Sequence, residues 1–493
     1  MSSSDYLVIF GYFALVTATG VLCGRGQKSG VAYFLGNRSI HWIPAGITMV
    51  AVGVSTVSFI GMPGQSFKSN WTFLQVYLAI PIASWVVCRV FLPVYNRMAV
   101  TTAYEYLEHR FDVRTRLLAS AVFQITLCGS TGVVIYAPSI ILSEITGLPV
   151  AGAILLVGSL TTFYTMAGGV KGVIYTDILQ AFVFMGGWLF AVWFIVKALP
   201  GGIGYAWSVA IAEQKLRVFD FSTDPSVPST FWAGVVGMLF THLALTGINQ
   251  AQVQKFLTVS GMTAGRRAIM FYAFGIVAVY ICFFGLGTLL FVLYGSRPGA
   301  LPSHIAADQV FPYFITTELP NGIRGFLIAG SFSAAMSTVS SALNSLASAT
   351  VVDFLDRWRS GNTVVRARLS TVLWGAVVTL AGLLAWRLGS ILETIVMVNS
   401  YFYGCLLGTF LLGMLTKGVR AKAAIAGLLG SIATVLLFAI FRPEYWVWFG
   451  AIGCLACLTI GYAVSGWMHE AVRSGFVEPG VDQSLPRDPT CGG

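Results

Sequence analysis

Long apolar runs separated by short polar stretches are the dominant pattern of this chain. About thirteen runs are long enough to cross a hydrocarbon core of roughly 30 Å as helices, and most charged residues fall between them. The runs are residues 5–22, 42–64, 72–94, 117–143, 150–168, 173–197, 231–254, 268–294, 325–352, 369–386, 390–415, 421–441 and 445–467. This pattern predicts an all-α polytopic membrane protein.

Composition supports the same class, because 56% of the residues are apolar, 10% are charged and the mean hydropathy is +0.80. The first run has no basic residue before it and no cleavage pattern after it, which predicts a retained helix rather than a signal peptide. We therefore expect a protein integral to the cell membrane, with the lipid bilayer as its surroundings.

Lys and Arg residues are distributed unevenly between the two predicted sides of the membrane. If the amino terminus is outside, the inner loops and tail hold twenty of them and the outer loops hold eight. The positive-inside rule therefore predicts an outside amino terminus and a cytoplasmic carboxyl terminus. The same asymmetry accounts for most of the net charge of +10, so no nucleic-acid partner is predicted.

The ninth run carries hydroxyl side chains at helical spacing. They are Ser333, Ser337, Ser341 and Ser345 at every fourth position, with Thr338 and Ser340 beside them. Residues four apart share one face of a helix, so this serine strip should face protein or a cavity rather than lipid. Two interpretations remain open: close packing of helices, for which small residues are enriched, or uncharged oxygen ligands for a cation.

Acidic residues are nearly absent from the runs, and Asp177 in the sixth is the clear exception, with Glu393 a weaker one. An ionisable residue inside the membrane indicates a functional site by default, because an unpaired charge there is costly. The alternative is a structural pair with a cation such as Arg89. Together with the serine strip, Asp177 favours a monovalent cation site.

The second and seventh runs concentrate glycine and polar residues in their middles, in GVSTVS and TGINQAQVQ. An unwound turn at membrane depth is tolerated only where it lines a cavity, so both are predicted to be broken helices. Each is the first helix of a five-helix unit. Interrupted helices at corresponding positions of two halves are typical of inverted-repeat transporters.

Several segments resemble the sodium:solute symporter family across nearly the whole chain. They are TTAYEYLEHRF, TFYTMAGGVKGVIYTDILQ, NQAQVQKFL, AAMSTVSSALNS and VVDF. The resemblance implies a leucine-transporter-type core of two inverted five-helix repeats. It divides the chain into a first helix and inner loop (1–41), repeat 1 (42–198), an outer loop (199–230), repeat 2 (231–417), two peripheral helices (418–472) and a cytoplasmic tail (473–493).

The resemblance also implies sodium ions, one or two per cycle, as the coupling ions. The family's first sodium site corresponds to the carbonyls of Ala51, Val54 and Ala334 and the hydroxyls of Ser337 and Thr338. A second site, present in some members, corresponds to Asp177, Ser340 and Ser341.

The solute is less sharply defined. GVVIYAPSIILSEITGL is similar to the branch that carries monocarboxylates, vitamins and iodide, whereas FDVRTRLLAS is similar to bacterial sialic acid symporters. Those symporters hold the carboxylate with an arginine on the fourth span, where this chain has Ser130, and Asn249 matches a sugar-binding asparagine of the galactose branch. Candidate substrate-binding residues are Ser55, Ser58, Phe73, Gln75, Ser130, Asn249, Gln250 and Asn399.

Together these patterns predict a sodium-coupled symporter that imports a small organic anion by alternating access, with a monomeric transport unit. A sodium/sugar or sialic acid symporter is the alternative within the same class. An ion channel is the alternative from another class, although the polar groups cluster at two breaks rather than along a continuous pore. The runs hold no nucleophile with its base, so an enzyme is not predicted.

Overall fold

The structure is a computed structural model that describes residues 2–358, 361–385 and 391–473. Each of the thirteen predicted runs coincides with a helix or with helical pieces. The helices are α1 (Ser3–Cys23), α2 (Gly30–Leu35), α3 (Trp42–Gly53), α4 (Thr56–Lys68), α5 (Ala79–Val86), α6 (Leu92–Met98), α7 (Glu105–Arg110), α8 (Val113–Thr146), α9 (Val150–Ala198), α10 (Gly202–Ala212), α11 (Met238–Gly247), α12 (Gln250–Leu257), α13 (Gly261–Gly295), α14 (Val310–Thr317), α15 (Ile323–Ala349), α16 (Asp356–Trp358), α17 (Thr363–Ala385), α18 (Ile391–Leu415), α19 (Ala421–Phe441) and α20 (Phe449–Arg473).

Both predicted breaks are present. The second span consists of α3 and α4, whose axes bend by 59° across the break, and the seventh consists of α11 and α12, bent by 51°. At the first break Val54 and Ser55 are extended, with ψ of 107° and 167°, so the helical hydrogen-bond ladder is interrupted there. The interruption leaves carbonyl oxygens of α3 and amides of α4 free to face a ligand.

The fifth and sixth spans form one long helix, α9, with a kink at Gly169. This residue has φ +51° and ψ −158°, outside the helical region. A Cβ at Gly169 would lie 2.9 Å from the Tyr33 carbonyl oxygen, so the kink requires glycine for its backbone conformation and for the close approach of the neighbouring chain.

The ninth span, α15, lies in the centre of the bundle. Nearly all of it is buried, whereas most of α1 and α19 is turned outward, where lipid would cover their apolar residues. A helix that is buried on all sides has no lipid-facing stripe. The serine strip therefore lies wholly inside the protein.

A single carboxylate fixes α1 to α15. Asp5 is fully buried, and one of its oxygens accepts hydrogen bonds from the amides of Gly322 and Gly325, at 2.7 and 3.0 Å. Its other oxygen accepts from the amide of Ser2 at 3.0 Å, as part of a capping box on α1. Asp5 thus satisfies free amides at the amino-terminal ends of both helices.

Candidate functional site

Asp177 is the centre of a buried polar cluster between the second, sixth and ninth spans. Ser337 donates a hydrogen bond to Oδ1 of Asp177 at 2.8 Å, and Ser341 donates to Oδ2 at 3.3 Å. Thr48 of α3 also donates to Oδ2. Two members of the serine strip therefore face the acid. Ser341 was expected beside Asp177, whereas Ser337 was assigned to the first site, Ser340 instead donates to the Ser337 carbonyl, and Thr48 was not predicted.

The cation beside this acid is Lys255, at the end of α12. Its Nζ lies 3.5 Å from Oδ2 of Asp177, and both side chains are fully buried. Within the described part of the chain, this ammonium has no hydrogen-bond partner. Arg89, the cation considered from sequence, instead lies over the ring of Trp85 at 5.3 Å.

Two carbonyl oxygens of the first predicted sodium site lie near the hydroxyl of Thr338. Its hydroxyl lies 3.4 Å from the carbonyl oxygen of Val54 and donates to that of Ala334 at 3.1 Å. The carbonyl oxygen of Ala51 accepts from the amide of Val54 at 3.2 Å, which places it at the same break. Ser337, the fifth member, points toward Asp177 in this conformation.

The other hydroxyls of the strip bond to their own helix. Ser333 donates to the carbonyl of Ala329, Ser340 to that of Ser337, and Ser345 to that of Ala342, at 2.8, 3.0 and 2.9 Å. Such bonds satisfy a buried hydroxyl without a ligand. The strip is thus divided: part of it faces Asp177 and the break, and part serves helix packing.

A cavity of about 210 Å³ lies between the two broken helices. Five of the candidate substrate-binding residues line it, namely Ser55, Ser58, Phe73, Ser130 and Asn249. Its wall is otherwise rich in aromatic side chains, from Tyr77, Tyr272, Tyr280 and Trp446. No Lys or Arg is among its described lining residues.

Two candidate residues do not reach the cavity. Gln75 donates to the carbonyls of Thr72 and Ser229, at 3.1 and 2.8 Å. Gln250 donates to the carbonyl of Thr101 at 2.8 Å and accepts from the amide of Ala103 at 3.0 Å. The side-chain amides of both residues therefore bind backbone groups instead of facing the cavity.

Asn399, the remaining candidate, belongs to residues 391–400, whose side chains lie outside the described part of the structure, as does Glu393.

The half-helices α4 and α12 both begin at the cavity. Ser55 caps α4 by accepting from the amide of Ser58 at 3.4 Å, and Asn249 caps α12 by accepting from the amide of Ala251 at 2.9 Å. Two positive ends of helix dipoles are thereby directed at one volume.

His242 and Gln252 line the same cavity but were not predicted. Nε2 of His242 lies 2.9 Å from the carbonyl oxygen of Val76, which can only accept, so this nitrogen carries the proton and Nδ1 is left as an acceptor in the neutral ring. Gln252 donates to the carbonyl of Met49 at 3.1 Å, and its Oε1 has no partner in the described part of the chain. Both residues add acceptors to the wall.

Comparisons with known proteins identify the relatives of this chain. The sequence model described as "Sodium:solute symporter family" matches residues 33–431. The sodium/sialic acid symporter SiaT of Proteus mirabilis is 30% identical over 471 residues, covering 93% of this chain and 94% of the relative. The sodium-coupled monocarboxylate transporter 1 of Xenopus laevis is 32% identical over 456 residues, covering 90% and 72%.

The human sodium/iodide cotransporter is 31% identical over 455 residues, covering 88% of this chain and 70% of the relative. The branches predicted from sequence are therefore confirmed as relatives.

Solved structures agree with these matches. A substrate-bound outward-open Na⁺-coupled sialic acid symporter superposes with a TM-score of 0.85 at 29% identity, covering 94% of this chain and 98% of that one. Mhp1, a nucleobase-cation-symport-1 family transporter, superposes with a TM-score of 0.60 at 14% identity, covering 91% and 96%, which bears on the fold alone. The leucine-transporter-type fold is confirmed, and the chain belongs to the sodium:solute symporter family.

Proposed function

We propose that this sodium-coupled symporter imports a small organic anion, of the monocarboxylate or vitamin-like kind, by alternating access. The observation that carries the proposal is that two half-helices, α4 and α12, begin at the same cavity. The described residues that line this cavity include no Lys or Arg. Helix amino termini attract anions, and transporters with broken helices hold substrate carboxylates in this way.

The size of the cavity supports a small solute. Its volume of about 210 Å³ lies below the range of about 300–1,000 Å³ typical of pockets for drug-sized ligands. Ser58 and Ser130 offer hydroxyls and Asn249 an amide for a carboxylate, while Tyr77 and Tyr280 offer apolar surface for a short carbon chain.

The first sodium site is proposed to consist of the carbonyls of Ala51, Val54 and Ala334 with the hydroxyls of Ser337 and Thr338. The position of the Thr338 hydroxyl supports it, because its oxygen lies 3.4 Å from the Val54 carbonyl oxygen of the broken second span and 3.1 Å from the Ala334 carbonyl oxygen of α15. A sodium ion among these oxygens would be held by their lone pairs, with the Thr338 hydroxyl proton turned away from the ion, and would tie the break to α15. Ser337 would first have to rotate away from Asp177.

The second sodium site is proposed to consist of Asp177, Ser340 and Ser341. The hydrogen bond from Ser341 to the carboxylate supports it, whereas Ser340 would have to rotate away from its own helix. Thr48, which also donates to Asp177, is a further oxygen within reach of such an ion. Two sites correspond to as many as two sodium ions in each cycle.

The transport cycle follows from this arrangement. Sodium fixes the second span to α15 and completes a cavity that is open to the outside. Binding of the anion then closes the cavity. Rocking of repeat 1 (42–198) against repeat 2 (231–417) exposes the sodium and the anion to a cytoplasm low in sodium. The proposal includes an outside amino terminus, a cytoplasmic carboxyl terminus and a monomeric transport unit.

A sugar or sialic acid remains the second candidate solute. Asn249 lines the cavity, and His242 and Gln252 add acceptors that suit the hydroxyl groups of a sugar. This chain has Ser130 at the position where sialic acid symporters hold the carboxylate with an arginine. That difference argues against sialic acid bound in the way those symporters bind it. A channel has less support, because the polar groups surround a cavity between two breaks rather than a continuous pore.

Sodium coupling is tested by uptake into proteoliposomes with an imposed sodium gradient. We expect uptake in sodium and none above background in choline, and we expect Asp177→Ala and Thr338→Ala to weaken the apparent sodium affinity by about tenfold or more. Thr126→Ala is the matched control, because this buried hydroxyl donates to the Val122 carbonyl at 2.8 Å, away from both sites. Equal uptake in the two media would contradict the proposal.

The solute is identified by thermal stability of the purified protein in sodium with short monocarboxylates, vitamins, hexoses or sialic acid added one at a time. We expect a carboxylate to raise the melting temperature and a neutral hexose of similar size to leave it unchanged. Stabilisation by the hexose alone would overturn the anion assignment without affecting sodium coupling.

A further inference from the structure

A basic pocket lies where α1 ends, far from the cavity described above. We define it by Arg25 and Lys28 of the loop after α1, Arg368 of α17, and Met166 and Ala167 of α9. The three cationic side chains are exposed, and in the described part of the chain none of them has an acidic partner within 4 Å. Clustered cations without counter-charges repel one another, so the pocket favours an anion.

The wall of this pocket is fixed in place rather than loose. Gln27 donates to the Gly168 carbonyl at 2.6 Å, which holds the loop against the kink of α9. A Cβ at Gly24 would overlap the backbone of Ala167 and Gly168, so only glycine permits this close approach. The loop geometry that presents the cations is therefore set by packing.

An apolar groove continues from the pocket along the outward face of α1. It is lined by side chains of α1 from Phe13 to Leu22 and by Leu160 of α9, and Val21 lines both the groove and the pocket. Nine residues of helix rise about 13.5 Å, which is close to half of a hydrocarbon core of roughly 30 Å. The groove thus has the length of one membrane leaflet.

We propose that the basic pocket and the apolar groove together bind one anionic phospholipid. Its phosphate would lie among Arg25, Lys28 and Arg368, and one acyl chain would lie in the groove between α1 and α9. Arginine pairs with phosphate through two hydrogen bonds, and basic pockets between membrane helices are known sites for anionic headgroups. A free phosphate would use the pocket but not the groove, so the continuity of the two points to a lipid.

The lipid is tested on the full-length protein purified in detergent, by native mass spectrometry and thermal stability with phosphatidylglycerol or phosphatidylcholine of the same chain length. We expect preferential binding of phosphatidylglycerol. The triple variant Arg25→Gln, Lys28→Gln, Arg368→Gln should weaken that binding by about fivefold for each cation removed.

Two controls separate a specific site from general surface charge. The first control is a second triple variant, Arg97→Gln, Arg114→Gln, Lys417→Gln, which removes three exposed cations from the same end of the bundle. It should leave phosphatidylglycerol binding at the wild-type level. Ala18→Phe fills the groove and should weaken lipid binding while all three pocket cations remain. Equal losses in the two triple variants, or equal binding of the two lipids by the wild type, would overturn the proposal.

Discussion

Lys255 and the proposed second sodium ion compete for one carboxylate. The Lys255 ammonium lies 3.5 Å from Asp177 and has no hydrogen-bond partner among the described residues, so we expect it to serve as the counter-ion of Asp177 when sodium is absent. A sodium ion beside the same oxygens would be repelled by this ammonium, because two cations in a buried site interact strongly. The lysine should therefore lower sodium affinity and stabilise the sodium-free protein.

We expect Lys255→Met to lower the stability of the sodium-free protein by about 3–5 kcal/mol, because it leaves Asp177 buried without a cation. Sodium should then restore more stability than it adds to the wild type. Melting temperatures in sodium and in choline measure both effects, and Lys422→Met, which removes an exposed lysine, is the control. A sodium-dependent shift no larger than that of the wild type would contradict this interpretation.

Sequence reasoning singled out Asp177 and the serine strip because an acid and a spaced row of hydroxyls stand out against apolar runs, and the family resemblance paired Asp177 with Ser340 and Ser341. In the structure the hydroxyls of the strip that donate to Asp177 are those of Ser337 and Ser341. Sequence reasoning did not identify Lys255 as their partner, since a lysine at the end of a span is the pattern of an inner-loop charge. It also assigned Gln75 and Gln250 to substrate, whereas both amides bind backbone. A polar side chain in a broken span can face the substrate cavity or bind free backbone groups, and only the structure distinguishes the two roles.

At the scale of elements, α4, the second half of the second span, is held at its carboxyl-terminal end by Lys215. Its Nζ donates to the carbonyls of Phe67 and Ser69, both at 2.8 Å, and lies 3.8 Å from the centre of the Phe291 ring. A cation at a helix carboxyl terminus satisfies free carbonyls and interacts favourably with the helix dipole. The loop after α10 thereby fixes the carboxyl-terminal end of α4, and α4 begins at the cavity.

We expect Lys215→Met to destabilise the protein by about 1–3 kcal/mol, because two charge-assisted hydrogen bonds are lost at a largely buried position. Thermal unfolding in detergent is the measurement. Lys68→Met is the matched control, since Lys68 is an exposed lysine on the same helix end and its loss changes net charge equally. Equal effects of the two substitutions would show that the loss of charge, not the loss of the two hydrogen bonds from Lys215, is responsible.

Run length and apolar composition predicted thirteen runs, each of which coincides with a helix or with helical pieces, and glycine with polar residues predicted both breaks. By length and hydropathy, nine helices of the described residues could cross a membrane, or up to eleven if each bent pair is one span. The kink at Gly169 was anticipated only as a gap between two runs. Its backbone conformation depends on the neighbouring loop, where the Tyr33 carbonyl excludes a side chain. Contacts of this kind join segments distant in sequence, and no local pattern contains them.

At the scale of the whole molecule, a buried network at Asp353 joins three distant parts of the chain. Its carboxylate accepts from Thr102 at 2.7 Å, from Arg116 at 2.6 Å and from Ser120 at 2.6 Å. The network links the segment after the third span and the start of α8 to the end of the ninth span. A fully hydrogen-bonded carboxylate of this kind specifies one arrangement of the three elements.

We expect Asp353→Ala to destabilise the protein by about 1–3 kcal/mol, because Arg116 loses its fully buried partner and keeps only the partly exposed Glu108, at 2.7 Å. Combining it with Arg116→Met should cost less than the sum of the single changes, which a double-mutant cycle by thermal unfolding would measure. Glu318→Ala breaks a partly exposed pair with Arg297 at 3.2 Å and should cost less than about 1 kcal/mol. Additive losses at Asp353 and Arg116 would rule out the coupling.

The double cap at Asp5 has a consequence for the order of synthesis. The Gly322 amide that Asp5 binds lies 317 residues further along the chain. At about 5–20 residues per second, between roughly 15 seconds and one minute separate the synthesis of the two groups. During that interval the carboxylate has only the capping box of its own helix as partner. α1 therefore acquires its final contacts only after α15 has been made.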